Sequence, residues 1–392
     1  MKLTLLDRAF TLLDDVRSPQ DFTIILHFRD PPDVDRLRAG ARSARARYRT
    51  SGSHIEGSVW VYRNQDHEIE IDSDITQFVN EPFDLRRSSP VKQLFISNGA
   101  MLATRFHHAA ADGMSAALWL GHQLSVAYGF APLANSAAVL LRTAESSVRR
   151  SMFAYDGACD ALCATNSTRS GTRRWITRGF ACEELQRACR RAGGFTYSDL
   201  LATCLLEVFS QWNHQHTQNG QPRVGLWLPM NIRRRSSEGF GNGTSRIRLY
   251  ARYSPSASLV DKAREIRRQV SWSTEHGEWV VPDVPLLTHL PHWIARPALR
   301  SYLNRPSIDM ATGVFSHADR WGGASEAFKH VERIECVGLL HTRQSLAVNG
   351  ATHRGHTWLT FTYDTGLMRA TDAEELAQMY ERQLELARAE LL

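Results

Sequence analysis

Two periodicities alternate along the chain. Residues 22–28 (FTIILHF) form a short, nearly continuous apolar run, the pattern of a buried strand. Over 35–49 the pattern turns helical: Leu37, Ala41, Ala44 and Tyr48 make one stripe, and Arg38, Arg42, Arg45 and Arg49 another. VWVY at 59–62 and MLATRF at 101–106 read as further strands. After Asp112 and Gly113, Met114, Ala117, Leu118 and Leu124 recur at helical spacing, and Gly129 is placed to stop that helix.

Periodicity fades over 131–175, where Ala, Ser, Thr and Arg dominate, so this stretch reads as a linker with room for one irregular helix. Pattern returns near Trp175. A helix is expected over 181–191, and Thr196 with Asp199 makes a capping box ahead of Leu201, Leu205, Val208 and Trp212 on one helical face. VGLWLP at 224–229, RIRLYARY at 246–253 and TWLTFTYD at 357–364 read as strands, and Thr371 with Glu374 is a second expected capping box, opening a helix through about 391. Strands and helices mix in both halves. The class is therefore α/β or mixed α+β, divided into an N-terminal lobe over 1–150, a linker over 151–174 and a C-terminal lobe over 175–392.

Composition narrows the options. A chain of 392 residues, 43% hydrophobic and 22% charged, is ordinary globular material for two or three domains. A net charge of +6 is too weak to argue for nucleic acid. Only Lys2, Lys92, Lys262 and Lys329 are lysines among 47 basic residues, an arginine bias that suggests a GC-rich, bacterial source. The first apolar run stops at Asp7 and Arg8, too short for a signal-peptide core, and no stretch approaches ~18 apolar residues, so a cytoplasmic location away from membranes is expected. Six cysteines without repeated spacing make no disulfide framework. Sixteen histidines include the pairs His214/His216 and His353/His356, but no HExxH or paired CxxC accompanies them, so no metal is expected. Neither GxGxxG nor GxxxxGK occurs, which speaks against dinucleotide and P-loop chemistry.

The segment with chemistry in it is His107-His108-Ala109-Ala110-Ala111-Asp112-Gly113, with a strand leading in and an amphipathic helix leading out. It resembles the HHxxxDG signature of the thioester-dependent acyltransferase superfamily, which includes chloramphenicol acetyltransferase, plant BAHD and polyketide-associated acyltransferases, wax ester synthases and nonribosomal peptide condensation domains. EPFDLRRSSPVKQLFI at 81–96, GGFTYSDLLATCLLEVF at 193–209, and LPMNIRRR at 228–235 followed by FGNGTSRI at 240–247 are similar to further family segments, in the family's order. DRWGG at 319–323 is a poor match to the BAHD DFGWG, so a stand-alone condensation-like or polyketide-associated member is the nearer likeness.

The resemblance implies two chloramphenicol acetyltransferase-like lobes in a V around a central tunnel, with the motif midway along it. It implies transfer of an acyl group from a pantetheine thioester, on coenzyme A or on an acyl or peptidyl carrier protein, to a hydroxyl or amine of a small metabolite. The donor's phosphopantetheine is substrate, and no cofactor is held permanently. A neutral imidazole can take the acceptor's proton and return one to the leaving thiolate. The family pattern gives that role to His108. It leaves His107 packing or hydrogen-bonding beneath the site, and pairs Asp112 with Arg233 as a structural support rather than a catalytic dyad. Gly113 is expected to keep the tunnel clear or simply to serve the turn. Ser316, in GVFSHADRWGG, is the candidate oxyanion donor, against an ordinary strand serine. The arginine stripe 38/42/45/49, with Arg234 and Arg235, could dock an acidic carrier or coenzyme A phosphates, against a solvated helix face. A monomer is expected. Two rivals share the fold: an enzyme that cyclises or otherwise rearranges a tethered intermediate with the same histidine, and a carrier-docking module without chemistry.

Overall fold

In a computed structural model of the chain, the described residues are 1–63, 68–131, 159–217, 222–233, 239–252, 254, 256–279, 290–303, 311–319, 321, 326–341 and 344–392. Strands β1 (Asp21–Phe28), β4 (Ile69–Ile71), β5 (Val91–Ile96), β6 (Met101–His107) and β11 (Val331–Val337) make a five-stranded sheet in the order β11-β1-β6-β5-β4. Strands β7 (Arg173–Ala181), β8 (Arg223–Asn231), β9 (Thr244–Arg252), β10 (Gly313–Ala318), β12 (Leu346–His353) and β13 (His356–Asp364) make a six-stranded sheet in the order β7-β13-β12-β10-β8-β9. A separate hairpin joins β2 (Ser53–Glu56) to β3 (Val59–Tyr62). The helices are α1 (Leu5–Leu13), α2 (Val34–Arg47), α3 (Ile75–Asn80), α4 (Gly113–Tyr128), α5 (Glu183–Ala192), α6 (Tyr197–His216), α7 (Leu259–Glu275), α8 (His292–Leu303) and α9 (Ala370–Leu391). The mixed α/β class is the one expected.

β1 is apolar at Phe22, Ile24, Ile25, Leu26 and Phe28, on both faces, because both its faces are covered. Phe22, Ile24, Leu26 and Phe28 pack with Leu37, Ala41, Ala44 and Tyr48 of the α2 stripe and with Trp119 and Leu120 of α4. Ile25, on the other face, packs with Phe78, Val79, Leu94 and Ala103. In the second sheet Leu226, Ile247, Leu249, Phe315, Leu346, Val348, Leu359 and Phe361 point into a core shared with α5, α6, α7 and α9. By strand alternation Trp227, Arg246, Arg248, Ser316 and Asn349 occupy the opposite face. Ala318 and Ala351 share that face and pack into the core of the first sheet, so the face is turned toward the first sheet.

The chain crosses between the sheets. β11 comes from the C-terminal half but pairs antiparallel with β1, with Ile24 opposite Cys336 and Leu26 opposite Ile334. The Cys336 and Gly338 amides then donate to Thr360 and Thr362 of β13, each at 3.0 Å. The stretch 175–392 therefore contributes to both sheets.

The Thr196–Asp199 capping box forms as expected, and Gly129 ends α4 at φ 77°. The Thr371–Glu374 box does not form. α9 starts two residues earlier than that box implies, at Ala370, with Arg369 at the N-cap and no side-chain cap bond. Arg369 grips Asp372 instead, at 2.8 and 3.0 Å, and Glu374 is drawn to Arg178 of β7. β7 itself begins inside the expected linker, at Arg173, and pairs residue for residue with β13. Of the stretch 131–175, expected to be a linker with room for one irregular helix, 132–158 lie outside the described residues and 159–172 run without regular structure. All six cysteines are free. Among the described residues no helix is long and apolar enough to cross a membrane.

Candidate active site

β6 delivers His107 as its last residue, and three small residues turn the chain into α4. Ala109, Ala110 and Ala111 are each at most 2% exposed. Larger side chains would have no room in this turn, closed by the Ala110 amide on the His107 carbonyl at 2.9 Å. Asp112 is the N-cap of α4, accepting from the Ser115 amide at 3.0 Å.

The two histidines differ in accessibility. His107 is fully buried: its Nδ1 accepts from the Ala109 amide at 3.0 Å, and its Nε2 faces Asp14 at 3.4 Å. His108 keeps accessible surface. Its backbone amide donates to Gln20 at 2.8 Å, and its ring lies between Phe10 and Phe22, with centroids 4.9 and 4.6 Å away. Nδ1 is buried without a hydrogen-bond partner. Burial in this aromatic setting pulls the imidazole down to about 4 from the usual 6.5, against the opposing pull of the Asp112 carboxylate. The ring is therefore a neutral base throughout the physiological range.

Asp112 and Arg233 form the buried pair expected from the sequence. Arg233 donates to Asp112 Oδ1 at 2.8 Å, to Ser115 Oγ at 2.9 Å and to the Gly241 carbonyl at 2.6 Å. Asp112 Oδ2 accepts from the Gly243 amide and the Thr244 hydroxyl, both at 2.8 Å. Burial favours the protonated acid, but the Arg233 charge and these donors outweigh it and hold the carboxyl below its ordinary range. The hydrogen-bond partners of this carboxylate are Ser115, Arg233, Gly243 and Thr244, not the His108 ring.

The segment 240–244, which leads into β9, locks onto the motif from the second sheet. Phe240 is buried in the first core and stacks on Tyr48 at 5.4 Å. Ser115 Oγ donates to the Gly241 carbonyl at 2.7 Å, and Asn242 Nδ2 reaches the His108 carbonyl. A Cβ on Gly243 would stand 2.5 Å from Arg233 Cγ, so the clamp closes only over a glycine. Gly113 is the reverse case. A Cβ there would meet nothing within 4 Å, so neither the backbone nor packing demands glycine, and the residue leaves open volume beside the motif.

Behind the motif lies a second buried ion cluster. Asp21, opposite His107 in the β1–β6 ladder, pairs with Arg105 of β6 at 2.5 Å and with Arg173 of β7 at 3.0 Å, all three about 1% exposed. Burial opposes its ionisation, yet the two guanidiniums hold its carboxyl down at about 2.

Ser316 sits half-buried in β10, beside Asn349 in the parallel register, on the sheet face turned toward the first sheet. The arginine stripe is not uniform. Arg38 pairs with Asp35, Arg42 is exposed, Arg45 is buried, and Arg49 lies over the Tyr62 ring. Arg234 and Arg235 lie outside the described residues. His216 bonds the Trp212 carbonyl and His353 the Val331 carbonyl. Among the described residues no three His, Cys, Asp or Glu side chains converge as a metal site would require. Surface clefts at 164–168 with Gly366, and around Phe180, Leu185 and Leu384, contain no residue of the motif.

Phe10, Phe22, Ser115, Trp227 and His341 have no motif to announce them, whereas Asn242 and Arg246 lie in the FGNGTSRI segment with no role read for them individually. Asp21 and Arg105 left a faint signal, since an arginine inside an apolar strand requires an acid partner.

No family model matches the sequence, and no curated protein sequence matches it. The fold does match solved structures. The first condensation domain of the calcium-dependent antibiotic synthetase, in complex with a substrate analogue, superimposes with a TM-score of 0.73 at 14% identity, covering 98% of this chain and 96% of that one. The EpoB cyclization–docking bidomain from Sorangium cellulosum gives 0.69 at 16% identity, over 99% of this chain and 84% of that one. Polyketide synthase associated protein 5 from Mycobacterium tuberculosis gives 0.65 at 16%, over 98% and 97%. The chain has the condensation-domain fold along almost its whole described length.

Proposed function

We propose that this protein is an acyltransferase that moves an acyl group from a pantetheine thioester to a hydroxyl or amine of a small acceptor. The observation that carries the reading is His108: a neutral, partly accessible imidazole at a strand end, held from behind by the clamp of Asp112, Arg233 and Asn242. As the acceptor attacks the thioester carbonyl, its proton passes to His108, and the thiolate that departs takes it back. Positive charge on a ring in this setting becomes tolerable when negative charge develops on the attacked carbonyl beside it. Ser316, on the face turned toward the first sheet and without a side-chain hydrogen bond among the described residues, is the candidate donor to that oxyanion. Asp112 and Arg233 are positioning residues, and His107 packs under the turn. Gly113 leaves room for the reacting chain. The donor is carried on coenzyme A or on a carrier protein, and the likeness to condensation domains supports a place in natural-product assembly.

The fold likeness to a cyclization–docking bidomain supports a second reading, in which His108 cyclises or rearranges a tethered intermediate. One experiment separates them. Thiol release is followed with a panel of acyl-coenzyme A and acyl-carrier thioesters and mixed small amines and alcohols, for wild type beside His108→Ala. Transfer requires release that depends on the acceptor and drops about 10²–10⁴-fold in the variant. Folded wild type that releases no thiol from any donor overturns acyl transfer and leaves the rearrangement.

A further inference from the structure

The face of the second sheet turned toward the first brings three groups together. Arg246 of β9 lies over the indole of Trp227 in β8, with its guanidinium carbon 3.6 Å from the ring centroid. His341 meets the same indole edge-on, at 4.8 Å and 83°. Arg246 is exposed, yet the protein around it, helped by Arg248, lowers its pKa to about 10. Nearby arginines are answered by acids: Arg248 by Glu278, Arg169 by Asp364 and Arg233 by Asp112. Among the described residues no carboxylate pairs with Arg246.

Geometry ties this arginine to the motif. Thr244 donates to Asp112, and Arg246 follows two residues later on the same face of β9, about 7 Å along the strand. His341 stands where the charges of both Arg246 and His108 reach it. A guanidinium whose face is covered by an indole presents its N–H edge, which matches the two oxygens of a carboxylate. The phosphates of a pantetheine donor do not fit this place, because a whole pantetheine arm separates them from the thioester.

We propose that Arg246, steadied on Trp227 and flanked by His341, receives a free carboxylate on the substrate that reacts at His108. The inference rests on the acyl-transfer reading and adds a substrate class: an acceptor, or an acyl group, that carries a carboxylate. His341, which burial keeps neutral, adds a polar ring beside the anion rather than a second charge.

Two matched probe pairs distinguish acceptor from donor: L-phenylalanine against L-phenylalaninamide, and succinyl-coenzyme A against butyryl-coenzyme A. In kcat/KM, wild type is expected to prefer the carboxylate member of one pair, and Arg246→Gln to lose about ten- to hundredfold of that preference. Arg246→Lys should keep part of it. Calorimetric binding of the same four compounds to the His108→Ala protein, with and without Arg246→Gln, gives an answer that needs no turnover. Carboxylate binding weakened by Arg246→Gln supports the site even if no acyl transfer is found. Equal treatment of both members of each pair in both readouts, or a preference that survives Arg246→Gln, overturns it.

Discussion

His108 combines accessible surface with a weak hold on protons. Phe10 stacks on the ring and Phe22 packs against it at a tilt, while the residue as a whole keeps some accessible surface. Desolvation penalises the imidazolium, so the folded ring binds its proton only near pH 4, well below the ordinary 6.5. The base form thus persists as pH falls through the usual histidine range. With a hydroxyl acceptor, kcat/KM should stay level across neutral pH and break near 4. A break near 6.5 in the measured profile would show that the reacting base is not this desolvated ring.

At the scale of elements, the motif works because a segment from one sheet holds a turn of the other. Residues 240–244 reach the Asp112 carboxylate, the Ser115 hydroxyl and the His108 carbonyl in a single pass. The clamp tolerates no side chain at Gly243, whereas Gly113 faces open volume. Gly243→Ala should therefore lower stability by about 1–3 kcal/mol in denaturant unfolding, by pushing Arg233 off Asp112. Gly113→Ala should unfold like wild type and lose thiol-release activity instead, since its methyl enters the space left for substrate. Equal stability of the two variants would refute this division of roles.

For the whole molecule, the Asp21–Arg105–Arg173 cluster joins β1, β6 and β7 beneath the motif. Two buried guanidiniums share one carboxylate, so Asp21→Asn should cost about 3–5 kcal/mol of stability, read by chemical denaturation. The sign with pH follows from a folded pKa of about 2 against an ordinary 3.8. Its stabilisation is full above the ordinary carboxylate range and fades as pH falls toward 2, so the variant should lose that part of the acid dependence. An unchanged acid transition would mean that the carbonyls of Phe78, Val79 and Glu81, which also bind these arginines, suffice alone.

Much was legible from local pattern. β1, β6, α2, α4 and α6 follow periods that any one segment displays by itself, and HHAAADG stands in adjacent residues. The partnership of Asp112 with Arg233 could be expected from the family-like order of segments. β7 was hidden because Arg173, Arg174 and Arg178 interrupt its apolar pattern, and β11 because Glu332, Arg333 and Glu335 do the same. The buried ones among them, Arg173 and Glu335, are tolerated because distant residues answer them. Asp21 lies 84 residues from Arg105 and 152 from Arg173. Burial of one face is a local property, which period and composition record. The partner of a buried charge, the crossing of β11 and the meeting of Arg246, Trp227 and His341 are non-local, and only the tertiary structure decides them.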